Sequence, residues 1–192
     1  MQTNNTTLQG KHIAVLMTDG VEQVEYTKPR QFLEQNGAQV TLVAPKETGD
    51  TIQGFNHLSP GDRFQVELDI HDARPGDFDA LVLPGGVANP DSLRLSKEAI
   101  TFIREFAREN KPIAAICHGP WTLIDAGIAR GKRMTSWPSL REDLTNAGSE
   151  WVDEPLVVDG KLVTSRKPDD IPAFNQALLR ELTQTTSTRA TQ

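Results

Sequence analysis

The chain has 192 residues, 37% hydrophobic and 24% charged, with a net charge of −6. That length buries a full core within one domain, and an acidic balance without a basic stripe argues against nucleic acid as a primary partner. The single cysteine excludes an internal disulfide and fits a reducing compartment. No apolar leader opens the chain and no run reaches the roughly 18 apolar residues of a membrane span, so a cytoplasmic protein with no membrane partner is expected. Residues 1–10 and 184–192, rich in Thr, Gln, Asn and Ser, are expected as flexible tails around a single domain over 11–183.

In chain order, His12 to Met17 reads as a buried strand, followed by a helix over Thr27 to Asn36, with Pro29 in its first turn and Gly37 as its stop. Gln39 to Ala44 is a second strand. Lys46 to Asp77, rich in Gly, Pro and Asp, holds short strands or a hairpin. Ala80 to Leu83 is a strand running into Pro84-Gly85-Gly86. Ser96 caps an amphipathic helix to about Asn110, with Ile100, Ile103, Phe106 and Ala107 as its apolar face. Ile113 to Ile116 is a strand that stops at Cys117-His118, and a helical pattern runs from Trp121 to Ile128. Ser139 and Glu142 form a capping box for a short helix ending near Gly148. Val157 to Ser165 is a hairpin around Asp159-Gly160, and a last helix covers about Asp170 to Thr183. Alternating strands and helices predict a doubly wound α/β sandwich with a mostly parallel sheet and helices on both faces.

Ligands in such sheets bind beyond the carboxyl ends of the strands. Asp19-Gly20-Val21-Glu22, Gly85-Gly86 and Cys117 each fall just after a strand. Ala115, Cys117 and Gly119 have the small-x-nucleophile-x-small spacing of a nucleophile elbow, in which only small residues fit beside the turn. A lone cysteine is more often a buried small hydrophobe, but the elbow spacing and the adjacent His118 favour a nucleophile. The following helix start would lower the thiol pKa. The His118 N–H with that of Gly85 or Gly86 could form an oxyanion hole, and Glu22 could reach the thiol from dry surroundings as a proton donor and acceptor. No histidine follows His118, so any Cys–His pair must use His118 or an upstream residue. His12, His57 and His71 read as structural. No metal-ligand spacing is present, and Trp121 and Tyr26 are candidate pocket walls.

These residues resemble the PfpI family of the class I glutamine-amidotransferase-like superfamily. The matching strings are Asp19-Gly-Val-Glu22, Leu83-Pro-Gly-Gly86, Ala115-Ile-Cys-His-Gly-Pro120, Thr135-Ser-Trp-Pro138, Asn146-Ala-Gly148, Trp151-Val-Asp153, Val158-Asp-Gly160 and Thr164-Ser-Arg166, in the family's order. The resemblance implies a flavodoxin-like fold that forms dimers or larger rings. It implies Cys117 as an oxidisable nucleophile, Glu22 as the carboxyl on the sulfur and His118 as the second catalytic member. Asp91 stands where the family's protease branch has a Glu supplied by a neighbouring subunit.

Three functions follow as expectations. The first is a cofactor-independent enzyme of glyoxalase or deglycase type, whose thiolate adds to methylglyoxal or an early glycation adduct and yields a hydroxy acid. The second is a peptidase using Cys117, His118 and Asp91, ranked lower because adjacent Cys and His side chains are expected to diverge. The third is a redox sensor acting through oxidation of Cys117. A glutaminase would need a downstream His-x-Glu, which this sequence lacks.

Overall fold

The computed structural model describes residues 7–187. The elements run β1 (His12–Leu16), β2 (Val21–Glu22), α1 (Gln23–Gln35), β3 (Gln39–Ala44), β4 (Thr51–Asn56), β5 (Ser59–Gln65), β6 (Leu68–Asp69), β7 (Ala80–Leu83), α2 (Ala88–Leu93), α3 (Lys97–Arg108), β8 (Ile113–Ile116), α4 (Trp121–Asp125), β9 (Arg133–Met134), α5 (Arg141–Asn146), β10 (Glu150–Trp151), β11 (Val157–Asp159), β12 (Leu162–Ser165) and α6 (Ile171–Ser187). Seven strands form one sheet in the order β11-β12-β8-β7-β1-β3-β6. Every pairing in it is parallel except β11 with β12.

The central strands are short apolar runs, and β7 and β8 are buried at every residue, as a sheet covered on both faces requires. Alternate side chains enter opposite layers. Ile13 and Val15 pack with Leu33, Phe174 and Leu178 beneath α1 and α6, while Ala14 and Leu16 pack with Ile103 and Phe106 of α3. The chain leaves β1 toward β3 on one side and reaches β7 and β8 on the other. The strand order therefore reverses between β1 and β7, and the ends of β1, β7 and β8 open onto one crevice. No helix of the described residues is long and apolar enough to cross a membrane.

Four expectations need correction. Helix α1 begins at Gln23, directly after β2, rather than at Thr27. Pro29 lies inside it and not in its first turn, where the helix gives up the hydrogen bond a proline cannot donate. The domain also extends past the expected tail boundaries. Leu8 is fully buried and its N–H donates to the Asn36 carbonyl at 2.8 Å, and α6 runs to Ser187. Residues 1–6 and 188–192 of the expected tails lie outside the described residues. Finally, Ser139 makes no capping bond to α5. It sits in a 3-10 turn, Pro138–Leu140, ahead of that helix. Leu8→Ala is expected to cost about 2–4 kcal/mol, read as a lower urea midpoint with an unchanged slope, because it empties a filled core position.

Candidate active site

Strand β8 ends on a strained residue. Cys117 has φ +62, a left-handed conformation that costs a non-glycine residue about 1–3 kcal/mol. The fold holds it there from both sides. The Cys117 N–H donates to Ser165 O at 3.0 Å, and its carbonyl accepts from Trp137 N at 2.8 Å. The turn closes with the Gly119 N–H on Ile116 O at 2.9 Å. A side chain at Gly119 would run into the Leu83 and Ile116 carbonyls, which explains the glycine. This is the turn geometry of a nucleophile elbow, with Cys117 only 7% exposed.

The carboxyl beside the sulfur is Glu25 and not Glu22. Glu25 is fully buried. Its Oε2 accepts the Gly85 N–H at 2.8 Å. Its carboxyl shares a hydrogen bond with the Cys117 sulfur, and its Oε1 has no oxygen or nitrogen partner among the described residues. The early start of α1 explains the difference. With the first helical turn at Gln23, Glu25 joins Pro29 and Leu33 at four-residue steps on the buried face, whereas Glu22 ends β2. Glu22 Oε2 instead accepts the His57 N–H at 3.0 Å. Burial pushes the Glu25 carboxyl up to about 8, with the nearby charge of Glu22 adding to the rise. Near neutral pH Glu25 therefore carries its proton.

Burial also pushes the Cys117 thiol up, and an ionised Glu25 pushes it further. This corrects the expected lowering by the helix start, since α4 is a five-residue helix and desolvation dominates. Two groups oppose the rise, the N–H groups of Gly86 and His118, both of which donate to the sulfur. The sequence suggests an oxyanion hole from the His118 amide and that of Gly85 or Gly86; in the structure the amides of His118 and Gly86 are directed at the sulfur. Gly85 is not one of them, because its N–H is committed to Glu25. Gly85 serves as a spacer instead. A Cβ there would lie 2.6 Å from Glu25 Oε2 and 2.7 Å from Cys117 Cβ. Gly85→Ala is thus expected to push the carboxyl and sulfur apart, costing about 1–3 kcal/mol of stability and most of the activity; thermal unfolding and turnover measured together check it.

His118 is 9% exposed, and burial lowers its pKa, so the ring is neutral near pH 7. Its Nδ1 lies 3.2 Å from Cys117 Sγ, so the adjacent Cys and His side chains converge, contrary to expectation. The left-handed elbow is what brings them together. Its Nε2 meets the Ser139 hydroxyl at 3.4 Å, and the Trp137 ring stacks on it at 6.0 Å between centroids. Asp91 lies exposed on α2 and makes no bond to His118 within the chain. The expected walls also change. Tyr26 is a core residue whose hydroxyl accepts from Arg30 at 2.6 Å. Trp121 donates to Asp143 at 2.9 Å and lies under Arg94. Neither lines the thiol cavity, which holds about 320 Å³ between Glu22, Glu25, Cys117 and His118 and a rim of Leu58, Val87 and Trp137. Among the described residues no cluster of three His, Cys, Asp or Glu side chains could hold a metal ion.

A parallel α/β sheet with a strained cysteine at the end of a central strand, a buried carboxyl beside the sulfur and two amides aimed at it is the strand–turn–helix geometry of a nucleophile elbow. The DJ-1/PfpI family model matches residues 11–181, and the chain belongs to that family. It is 42% identical to protein/nucleic acid deglycase 2 of Escherichia coli over 90% of this chain and 98% of that one. It is also 42% identical to general stress protein 18 of Bacillus subtilis over 88% and 96%. A second Bacillus subtilis protein, provisionally named a cysteine protease, is 41% identical over 90% and 98%. Among solved structures, Drosophila melanogaster DJ-1beta superposes with a TM-score of 0.81 at 28% identity over 90% of each chain. An Anabaena variabilis protein with DJ-1/ThiJ/PfpI-like and ferritin-like domains superposes at 0.83 and 35% identity, over 90% of this chain and 48% of that one.

Proposed function

We propose that the chain is a cytoplasmic, homo-oligomeric thiol enzyme that acts on small 2-oxoaldehydes and their early adducts with amines, converting methylglyoxal to lactate. The observation that carries this reading is the fully buried Glu25 carboxyl beside Cys117 in the lining of one cavity of about 320 Å³, where burial raises that carboxyl to about 8. A cavity of that size suits a small substrate. The relative named a deglycase adds support.

Near neutral pH the thiol and Glu25 each carry a proton. As the sulfur adds to the aldehyde carbon C1, its proton passes to His118 Nδ1, 3.2 Å away, and Glu25 gives its own proton to the C1 oxygen, which yields a hemithioacetal. The Gly86 and His118 amides offset the charge on the reacting atoms. The Glu25 carboxylate then removes the hydrogen of C1 as a proton. The freed electron pair forms a C1–C2 double bond and the carbonyl pair moves onto the C2 oxygen. C2 takes the proton back from Glu25, while His118 gives the proton it holds to the C2 oxygen and takes up the hydroxyl proton of C1, which it returns to the sulfur when the thioester is cleaved. The product is a lactoyl thioester, which water hydrolyses to lactate and free Cys117. C1 is oxidised to the acid level and C2 is reduced to an alcohol, so the balance is methylglyoxal plus water to lactic acid, with no external oxidant. On a hemiaminal adduct the C1–N bond breaks as the C1 hydroxyl gives up its proton and the amine takes one, which frees the aldehyde for the same steps and the same acid.

A peptidase is the second reading, favoured by the 3.2 Å contact of His118 with Cys117. Within the chain, however, the far nitrogen of His118 meets the Ser139 hydroxyl rather than a carboxylate, so Asp91 would have to come from a second copy. Oxidation of Cys117 as a redox signal is a third. The purified protein, given methylglyoxal alone, is expected to release lactate mole for mole. No lactate, together with cleavage of unstructured peptides that Asp91→Ala abolishes, would transfer the assignment to the peptidase.

A further inference from the structure

Glu22 lines the thiol cavity but takes no part in the chemistry above. It is 9% exposed, and its Oε2 accepts the His57 N–H at 3.0 Å. His57 opens the two-residue turn between β4 and β5, where Asn56 pairs with Ser59, and it has φ +56. That conformation is strained for any residue but glycine, and the Glu22 carboxylate is the anchor that holds it. Leu58, the next residue of the turn, is 95% exposed and forms one lip of the cavity. Glu22 therefore fixes the mouth of the site.

Its charge acts there too. The titratable groups that share the cavity with Glu22 are Glu25, His57, Cys117 and His118, and no lysine or arginine is among the described residues that line it. Burial keeps the proton on Glu25 and lowers the pKa of His118, and the Glu22 charge that raises Glu25 faces no lysine or arginine among the described residues of the cavity wall. A charge in a half-dry wall acts over several ångströms more strongly than one in open water.

We infer that Glu22 is a specificity-determining residue that admits neutral and cationic carbonyl compounds to Cys117 and discriminates against anionic ones, such as phosphate esters and aldehydes that carry a carboxylate. The inference names the substrate class for the reaction proposed above and rests on that reading, but the charge selection can be read at the sulfur without any turnover.

The test is alkylation of Cys117 by iodoacetamide and by iodoacetate, two reagents of nearly equal size that differ by one negative charge. Cys117 is the chain's only cysteine, so intact mass follows it directly. Near neutral pH the native chain is expected to prefer iodoacetamide by about tenfold more than a free small thiol does, the size of one screened charge interaction. Glu22→Gln keeps an acceptor for the His57 N–H and removes the charge, and it is expected to bring the preference back to that of the small thiol. Added salt should narrow the native gap in the same direction, which keeps the inference testable should the variant not fold. A native preference equal to that of the small thiol, or one that neither Glu22→Gln nor salt changes, overturns it. If the preference shifts as expected but no lactate forms from methylglyoxal, the charge gate stands and the reaction assigned above falls. If lactate forms while the preference stays fixed, the reverse holds.

Discussion

Glu25→Gln is expected to lower turnover of methylglyoxal by about 10²- to 10⁴-fold, the range for loss of a positioned acid–base group. An amide can still accept from the Gly85 N–H, which Glu25 Oε2 holds at 2.8 Å, so the loop after β7 should stay in place. It cannot give a proton to the substrate oxygen or take one from carbon. The loss should therefore fall on kcat with KM little changed. The same variant carries a second signature, in stability. The Glu25 carboxyl is held up to about 8 by burial, against an ordinary value of 4.5. A raised carboxyl gives its stabilisation in full below the unfolded value and loses it as pH climbs through the folded one. From this group the native protein should therefore weaken between about pH 4.5 and 8, by at most about 5 kcal/mol. Glu25→Gln should flatten that slope, so that near pH 8 the inactive variant has the higher urea midpoint. A variant that loses activity and keeps the native pH slope would show that the slope comes from other groups.

Cys117→Ala is expected to abolish turnover, to below about a thousandth of the native rate, because no other thiol exists in the chain and the covalent step has no substitute. Its effect on stability has a compensating part. Alanine keeps the strain of φ +62, but the partner that shares a hydrogen bond with Glu25 disappears along with a buried sulfur. A near-native fold with no activity is the expected result. Retained activity would place the chemistry on another residue, and His118 would be the next to examine.

The sheet was legible because its strands are short apolar runs bounded by Gly and Pro, and the elbow was legible because Ala115 and Gly119 flank Cys117 at a spacing that only a tight turn needs. Glu25 was missed for a definable reason. Read as a first-turn residue, Pro29 puts the helix start after Glu25 and leaves Glu22 as the carboxyl nearest the end of β1. The signal was present in the spacing of Glu25, Pro29 and Leu33, a carboxyl on an otherwise apolar stripe, and a charge on such a stripe deserves the question of what it pairs with. Leu58 and Val87 had no comparable signal, and Trp137 had only its place in the Thr135–Pro138 string. They reach the cavity through loops, and loop positions follow from tertiary contacts such as the Trp137 N–H on the Cys117 carbonyl. The convergence of His118 on the sulfur likewise depends on one backbone angle that no side-chain pattern encodes.

The measurement that tests the central claim most directly is the rate of lactate formation from methylglyoxal by the native chain beside Cys117→Ala and Glu25→Gln at one enzyme concentration. The structure leads us to expect lactate from the native chain, none above background from Cys117→Ala, and a residual rate about 10²- to 10⁴-fold down from Glu25→Gln. Equal rates from the native chain and Cys117→Ala would contradict the account at its root.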